Sequence, residues 1–217
     1  MMRSSWQWSL VAATFAYVVM NRLGHTYGST AQERSTPLPG DSVVVKPHCV
    51  CTHATTIAAT PEQIWPWLVQ MGWHRGGWYT ARWVDRVLFP ANWPSADHIV
   101  AEWQELQPGA YVPDGAPETH CGFTVLALHP AESLVLHSTS HLPRSWRASG
   151  IAALDWTWVF SLRPLGDDMG TRFLFRWRAR MRPWWLRVLC EAVVVPADLL
   201  MSRDMLRGVR SRAEPKT

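Results

Sequence analysis

His48, Cys49, Cys51 and His53 crowd one short stretch of the chain, and thiolate sulfur and imidazole nitrogen are the ligands that zinc prefers. On an extended strand, however, alternate residues stand on one face about 7 Å apart. Cys49, Cys51 and His53 would then fan out rather than converge, and the two cysteines could not bridge. The cluster reads as ordinary strand residues, with no metal and no cofactor expected. Cys121 and Cys190 complete neither a CxxC pair nor a disulfide framework. The polar groups able to orient or protonate a ligand are Tyr79, His53, His137 and Glu102. None is paired by spacing with a nucleophile, and there is no glycine-rich phosphate loop, so the catalytic residues stay unassigned.

These side chains must be placed by a few well-marked elements. Thr60, Pro61 and Gln63 spell a helix start with a capping box. Ile64, Trp65, Trp67, Leu68 and Met71 follow at helical spacing, Pro66 predicts a bend or early stop, and Gly72 closes the helix. Gly76-Gly77 predicts a sharp, mobile turn before Trp78 and Tyr79, with Tyr79 bonded to that turn. A second short helix is expected over 81–89, with Trp83, Val84, Val87 and Leu88 inward. Strands are expected at 50–59, 110–113, 122–129 and 133–139.

The clearest pair is a hairpin. Leu154, Trp156, Trp158, Phe160 and Leu162 alternate with polar residues, and Phe173, Phe175, Trp177, Ala179 and Met181 do the same. Antiparallel pairing predicts Trp158 beside Trp177, Phe160 beside Phe175 and Leu162 beside Phe173, closed through 166–170. The other face carries Arg172, Arg176, Arg178, Arg180 and Arg182, read as a solvated face or a surface for an anionic membrane or acidic partner. A last helix is expected over 184–211, bent at Pro196, with Arg187, Glu191 and Asp198 forming its narrow polar stripe.

Composition narrows the function classes. Fifteen tryptophans in 217 residues imply large apolar area needing either a roomy interior or a covered surface. A net charge of +4 with no recognition motif argues against nucleic acid. Residues 6–20 are nearly all apolar and sit at the short end for a bilayer span. They read as a single-pass membrane anchor in residues 1–24, against a helix docked on the domain or a signal peptide. Without an anchor the protein would be cytoplasmic. Residues 25–48 read as a Pro/Gly/Ser/Thr linker, and oligomeric state stays open.

The run ATTIAATPEQIWPWLVQMGWHRGGWY (54–79) resembles the opening of the SRPBCC, or START-like, superfamily, which includes the polyketide cyclase/dehydrase group. The likeness continues in TPLPGD (36–41), ADHIVAEWQEL (96–106), TRFLFRWR (171–178) and MLRGVRSRAE (205–214). Ala81-Arg82, Ala101 and Ala110 depart from that pattern. The resemblance implies an α+β helix-grip domain over 49–214: a curved antiparallel sheet around a long C-terminal helix, with a cavity between them. Trp78, Trp103, Trp156, Trp158 and Trp177 would enclose that cavity, with Tyr79, His53 and His137 as its polar groups. Trp78 is expected to be part-exposed at the cavity mouth as a gate. The implied activity is binding of an apolar small molecule or lipid, tethered to a membrane through residues 6–23. A cyclase, dehydratase or aromatase using cavity acid/base groups is the alternative, and a non-catalytic interaction domain the second.

Overall fold

The computed structural model describes residues 2–166 and 170–215, and their side chains except 2–6 and 88. Six strands form one antiparallel sheet in the order β1-β6-β5-β4-β3-β2. They are β1 (Cys49–Ile57), β2 (Tyr111–Pro113), β3 (Gly122–His129), β4 (Ser133–Ser138), β5 (Ala153–Pro164) and β6 (Thr171–Arg182). The helices are α1 (Met2–Thr26), α2 (Ala31–Ser35), α3 (Pro61–Val69), α4 (Arg82–Leu88), α5 (Arg144–Ala148), α6 (Trp184–Leu189) and α7 (Val195–Ala213). A π-helical turn over Cys190–Val194 joins α6 to α7. The long C-terminal helix lies against the inner face of the sheet, which is the helix-grip architecture.

Local chemistry explains most of these boundaries. The Gln63 side chain accepts the Thr60 N–H at 2.9 Å, so the helix start is the expected one, and α3 runs through Pro66 to Val69. The β5–β6 hairpin pairs Trp158 with Trp177, Phe160 with Phe175 and Leu162 with Phe173. A one-residue slip would bring the arginines into this aromatic layer. The tip of its closing loop, 167–169, lies outside the described residues.

The outer face of the sheet is covered, not wet. Residues 27–47, expected to form a linker, pack across it: Leu38 joins Val135 and Val159 in a small second core. Arg176 is 2% exposed and bonds Asp41 at 2.6 Å, while Arg172 pairs with Glu33 at 2.7 Å and Arg178 approaches Asp41 at 3.5 Å. Only Arg180 and Arg182 of the row stay exposed. The arginines therefore bind an internal acidic strap; alternation along β6 identifies the face and is silent about what covers it.

The last helix also turns differently from expectation. Asp198 is buried, whereas Val188, Val193 and Val194 point outward. The π turn is the cause, because an i→i+5 turn shifts the phase of everything after it. Residues on either side then no longer share one wheel. In α4 only Val84 of the expected inner stripe is buried; Trp83 and Val87 are exposed, and the Leu88 side chain lies outside the described residues.

Among the described residues no helix is long and apolar enough to cross a membrane. The single-pass anchor is corrected accordingly: Gln7, Thr14, Asn21, Arg22 and His25 dilute α1, and the Trp6 side chain expected to anchor it lies outside the described residues. The second half of α1 is docked on the domain. Asn21 Nδ2 donates to the Glu191 carbonyl at 2.8 Å, and a Cβ at Gly24 would come within 2.5 Å of Val195.

Candidate functional site

Between the sheet and the C-terminal helical ridge lies an apolar cavity of about 110 Å³. Leu154 and Trp156 from β5 and Trp177, Ala179 and Met181 from β6 form its sheet wall. Leu186, Cys190 and Val194 close the helix side, and His141 and Leu142 the remaining edge. Strand alternation delivers the sheet wall, since these are the inward residues of the predicted hairpin. Val194 is 41% exposed, so the cavity reaches the surface there, on the π turn. A separate surface groove of about 750 Å³ runs past Trp73, His74, Tyr111 and His120.

Of the sequence-named site residues, only Trp156 and Trp177 line this cavity. Trp158 and Trp78 lie deeper, packed edge-on at 5.2 Å, with Trp158 also 4.6 Å from Phe123. Trp78 is 1% exposed and is no gate. The Gly76-Gly77 turn is pinned: Gly76 N–H bonds the Gln70 carbonyl at 2.7 Å, Gly72 and Gly77 pair with each other, and Ser95 packs against Gly77. This fixed turn aims Trp78 into the core. Tyr79 donates its hydroxyl to the Trp67 carbonyl at 2.8 Å rather than to the turn. Trp103 is half-buried in a short 3-10 turn away from the cavity, and Glu102 is exposed.

The two histidines also differ from expectation. His137 pairs across the sheet with Thr157, while its neighbours Leu136 and Ser138 pair with the inward Trp158 and Trp156. It therefore stands on the outer face, 2.7 Å from Asp155. His53 does face inward, yet α1 covers it: its Nε2 lies 2.5 Å from the Gly24 carbonyl. The histidine on the cavity wall is His141, which sequence reasoning missed. No periodicity marks it, because it lies in the loop after β4. Its Nε2 meets Asp114 at 2.8 Å and its Nδ1 meets Ser138 at 2.7 Å. Both ring nitrogens are thus committed to protein partners.

A second polar group abuts the aromatic wall. The Asp198 carboxylate accepts the Trp177 indole N–H at 2.8 Å and the Ser202 hydroxyl at 2.9 Å. Burial pushes this carboxyl above the usual carboxylate range, against the pull of His53 and the two donors. Burial likewise holds His53 below the ordinary imidazole value. A raised native value means the folded chain keeps a proton that the unfolded chain has released. Asp198 therefore costs stability as pH rises from the ordinary carboxylate value of about 4 toward its raised one. Asp198→Asn keeps an oxygen acceptor and removes the charge. Its melting temperature should gain on the wild type across that interval in a pH series, and parallel pH profiles would count against this account.

The comparisons add fold context only. No family model matches, and no curated protein matches. Solved structures with a similar arrangement include a protein from Mesorhizobium loti, 16% identical, with 75% of this chain and 95% of that one covered and a TM-score of 0.38. A polyketide-cyclase-like protein from Corynebacterium glutamicum is 14% identical over 77% of this chain and 91% of that one, with a TM-score of 0.34. The ARO/CYC di-domain BexL of the BE-7585A biosynthetic pathway is 17% identical over 81% of this chain and 54% of its own, with a TM-score of 0.40. At these values nothing about ligand or reaction transfers to this chain; the helix-grip assignment rests on its own strand order and C-terminal helix.

Proposed function

We propose that this domain takes an apolar molecule bearing an oxygen acceptor from a membrane surface and holds it in the Trp156–Trp177 cavity. The observation that carries this reading is the position of Val194, which belongs to the cavity wall and also to an exposed apolar ridge. Trp184, Val188, Leu189 and Val193 continue that ridge. Beside it α1 exposes Trp8, Leu10, Val11, Phe15 and Val18, and Tyr17 and Asn21 fasten α1 to the π turn. Large contiguous apolar surface of this kind marks a membrane or protein contact. Exposed Arg22, Arg180, Arg182 and Arg187 favour an anionic lipid surface. The helices would lie in the interface rather than cross it.

The acceptor follows from the indoles. Trp156 lines the cavity, and its buried N–H has no acceptor among the described residues. A turn of the indole would present that enclosed N–H to a carbonyl or hydroxyl oxygen on the ligand, which would then satisfy it. Catalysis is the weaker reading, because His141, the cavity's imidazole, already spends both nitrogens on Asp114 and Ser138.

Uptake of a fluorescent naphthyl ketone, presented in solution or in phosphatidylcholine–phosphatidylserine vesicles, tests both halves. Val194→Trp should weaken binding in both settings by roughly tenfold, a 1.4 kcal/mol effect. Phe15→Glu should slow delivery from vesicles and leave binding in solution unchanged. Undiminished binding by Val194→Trp would remove the cavity from the account; undiminished delivery to Phe15→Glu would remove the membrane.

A further inference from the structure

The fold assembles a cluster that strand geometry alone could not. His25 on α1 brings its imidazole onto the strand face carrying Cys49 and Cys51, and one ligand atom from each lies within 4.8 Å of the others. His25 Nδ1 is 3.4 Å from Cys51 Sγ and 2.9 Å from the Val50 carbonyl. Cys190, the first residue of the π turn, is in hydrogen-bonding contact with Cys49. The expected fanning-out along β1 is therefore overcome by ligands from two other elements, while His48, bonded to the Met181 amide, and His53, bonded to the Gly24 carbonyl, stand outside the cluster. On metal binding His25 Nδ1 would exchange the Val50 carbonyl for the ion, its proton moving to the nitrogen that faces Glu191.

We propose that Cys49, Cys51, Cys190 and His25 form a zinc site. Zinc bonds of about 2.3 Å to sulfur and 2.0–2.1 Å to nitrogen place tetrahedral ligands roughly 3.5 Å apart. The His25–Cys51 distance already has that value, the 4.8 Å spread of His25, Cys49 and Cys51 requires only small side-chain adjustments, and Cys190 joins the set through its contact with Cys49. Three thiolates and one imidazole are a set that structural zinc sites use. The second ring nitrogen of His25 meets the Glu191 carboxylate at 2.9 Å. A carboxylate on the far side of a ligating imidazole fixes its orientation and raises its basicity. The three cysteines are buried, but His25 and Glu191 are part-exposed, which leaves the ion a route inward.

Zinc entry would release one proton from each thiol to solvent, and affinity should rise with pH. The site would clip α1, β1 and the π turn together. Because Cys190 also belongs to the cavity wall, metal occupancy would fix that wall.

Cobalt(II) and zinc(II) titrations of the full-length reduced protein under anaerobic conditions test the site. Cobalt should give thiolate-to-metal charge-transfer bands and the visible bands of a four-coordinate ion, and zinc should abolish both. Cys51→Ser should lose the charge-transfer bands. Glu191→Gln, which removes no ligand, should keep the spectrum and weaken zinc about 10–100-fold. Circular dichroism of each variant separates a lost ligand from a lost fold. Reduced, folded wild type without cobalt bands would overturn the proposal, as would bands that survive in Cys49→Ser/Cys51→Ser. A non-reduced intact mass showing a Cys49–Cys190 disulfide in place of bound metal would overturn it too.

Discussion

Arg176→Met is expected to destabilise the domain by about 3–5 kcal/mol, the range seen when one partner of a buried ion pair is removed. The Arg176 guanidinium makes five hydrogen bonds. Nε donates to the Thr52 hydroxyl at 3.0 Å, Nη1 to Asp41 at 2.6 Å and the Thr36 carbonyl at 3.1 Å, and Nη2 to the Glu33 and Arg34 carbonyls at 2.7 and 3.2 Å. Methionine fills much of the volume and satisfies none of these acceptors. The cost is therefore the desolvation of a carboxylate and three carbonyls left facing apolar surface. Arg176→Met/Asp41→Leu should recover part of the loss, since it removes the stranded charge as well as its partner. Urea unfolding followed by tryptophan fluorescence measures both. A loss below about 1 kcal/mol for Arg176→Met would mean that the strap of residues 27–47 adds little to the fold.

That strap shows where the sequence stops being readable. Alternation along residues 154–162 and 171–182 sets faces and register, because a slip of one residue would bury arginine in the aromatic layer. The helix start at Thr60 is equally explicit, since its capping groups are neighbours in the chain. Arg176 itself looks solvent-facing: the residues that bury it, Glu33 and Asp41, lie over 130 positions away in a stretch without periodicity. His141 and Cys190 fail to announce themselves for the same reason. Each acquires its role through partners from other elements, Asp114 and Ser138 for one, Cys49 for the other. His25 lies in a helix whose apolar pattern suggests a membrane segment, whereas its imidazole faces a strand thiol and a distant carboxylate. Asp198 is a different failure. Its spacing from Arg187 and Glu191 is sound for a regular helix, and the π turn between them breaks the premise.

Trp158→Ala and Trp78→Ala are each expected to cost about 3–5 kcal/mol, the range for deleting a buried aromatic. Both side chains are buried, and each touches the other and Phe123 in edge-on or tilted contacts. Such aromatic contacts add about 0.5–1.5 kcal/mol each beyond the area they bury. Losing either ring opens a void that the sheet on one side and the pinned Gly76-Gly77 turn on the other have little freedom to fill. Neither indole N–H has an acceptor among the described residues, so Trp158→Phe forfeits no hydrogen bond and, leaving a smaller void, should cost clearly less than Trp158→Ala. Trp184→Ala, at a site 70% exposed, should stay within about 0.5 kcal/mol. Urea midpoints at unchanged slope give this ranking directly. If Trp78→Ala proved as mild as Trp184→Ala, Trp78 would be surface after all and the rigid turn behind it would have to open in solution. If Trp158→Phe cost as much as Trp158→Ala, the indole nitrogen would have a partner that holds the core together.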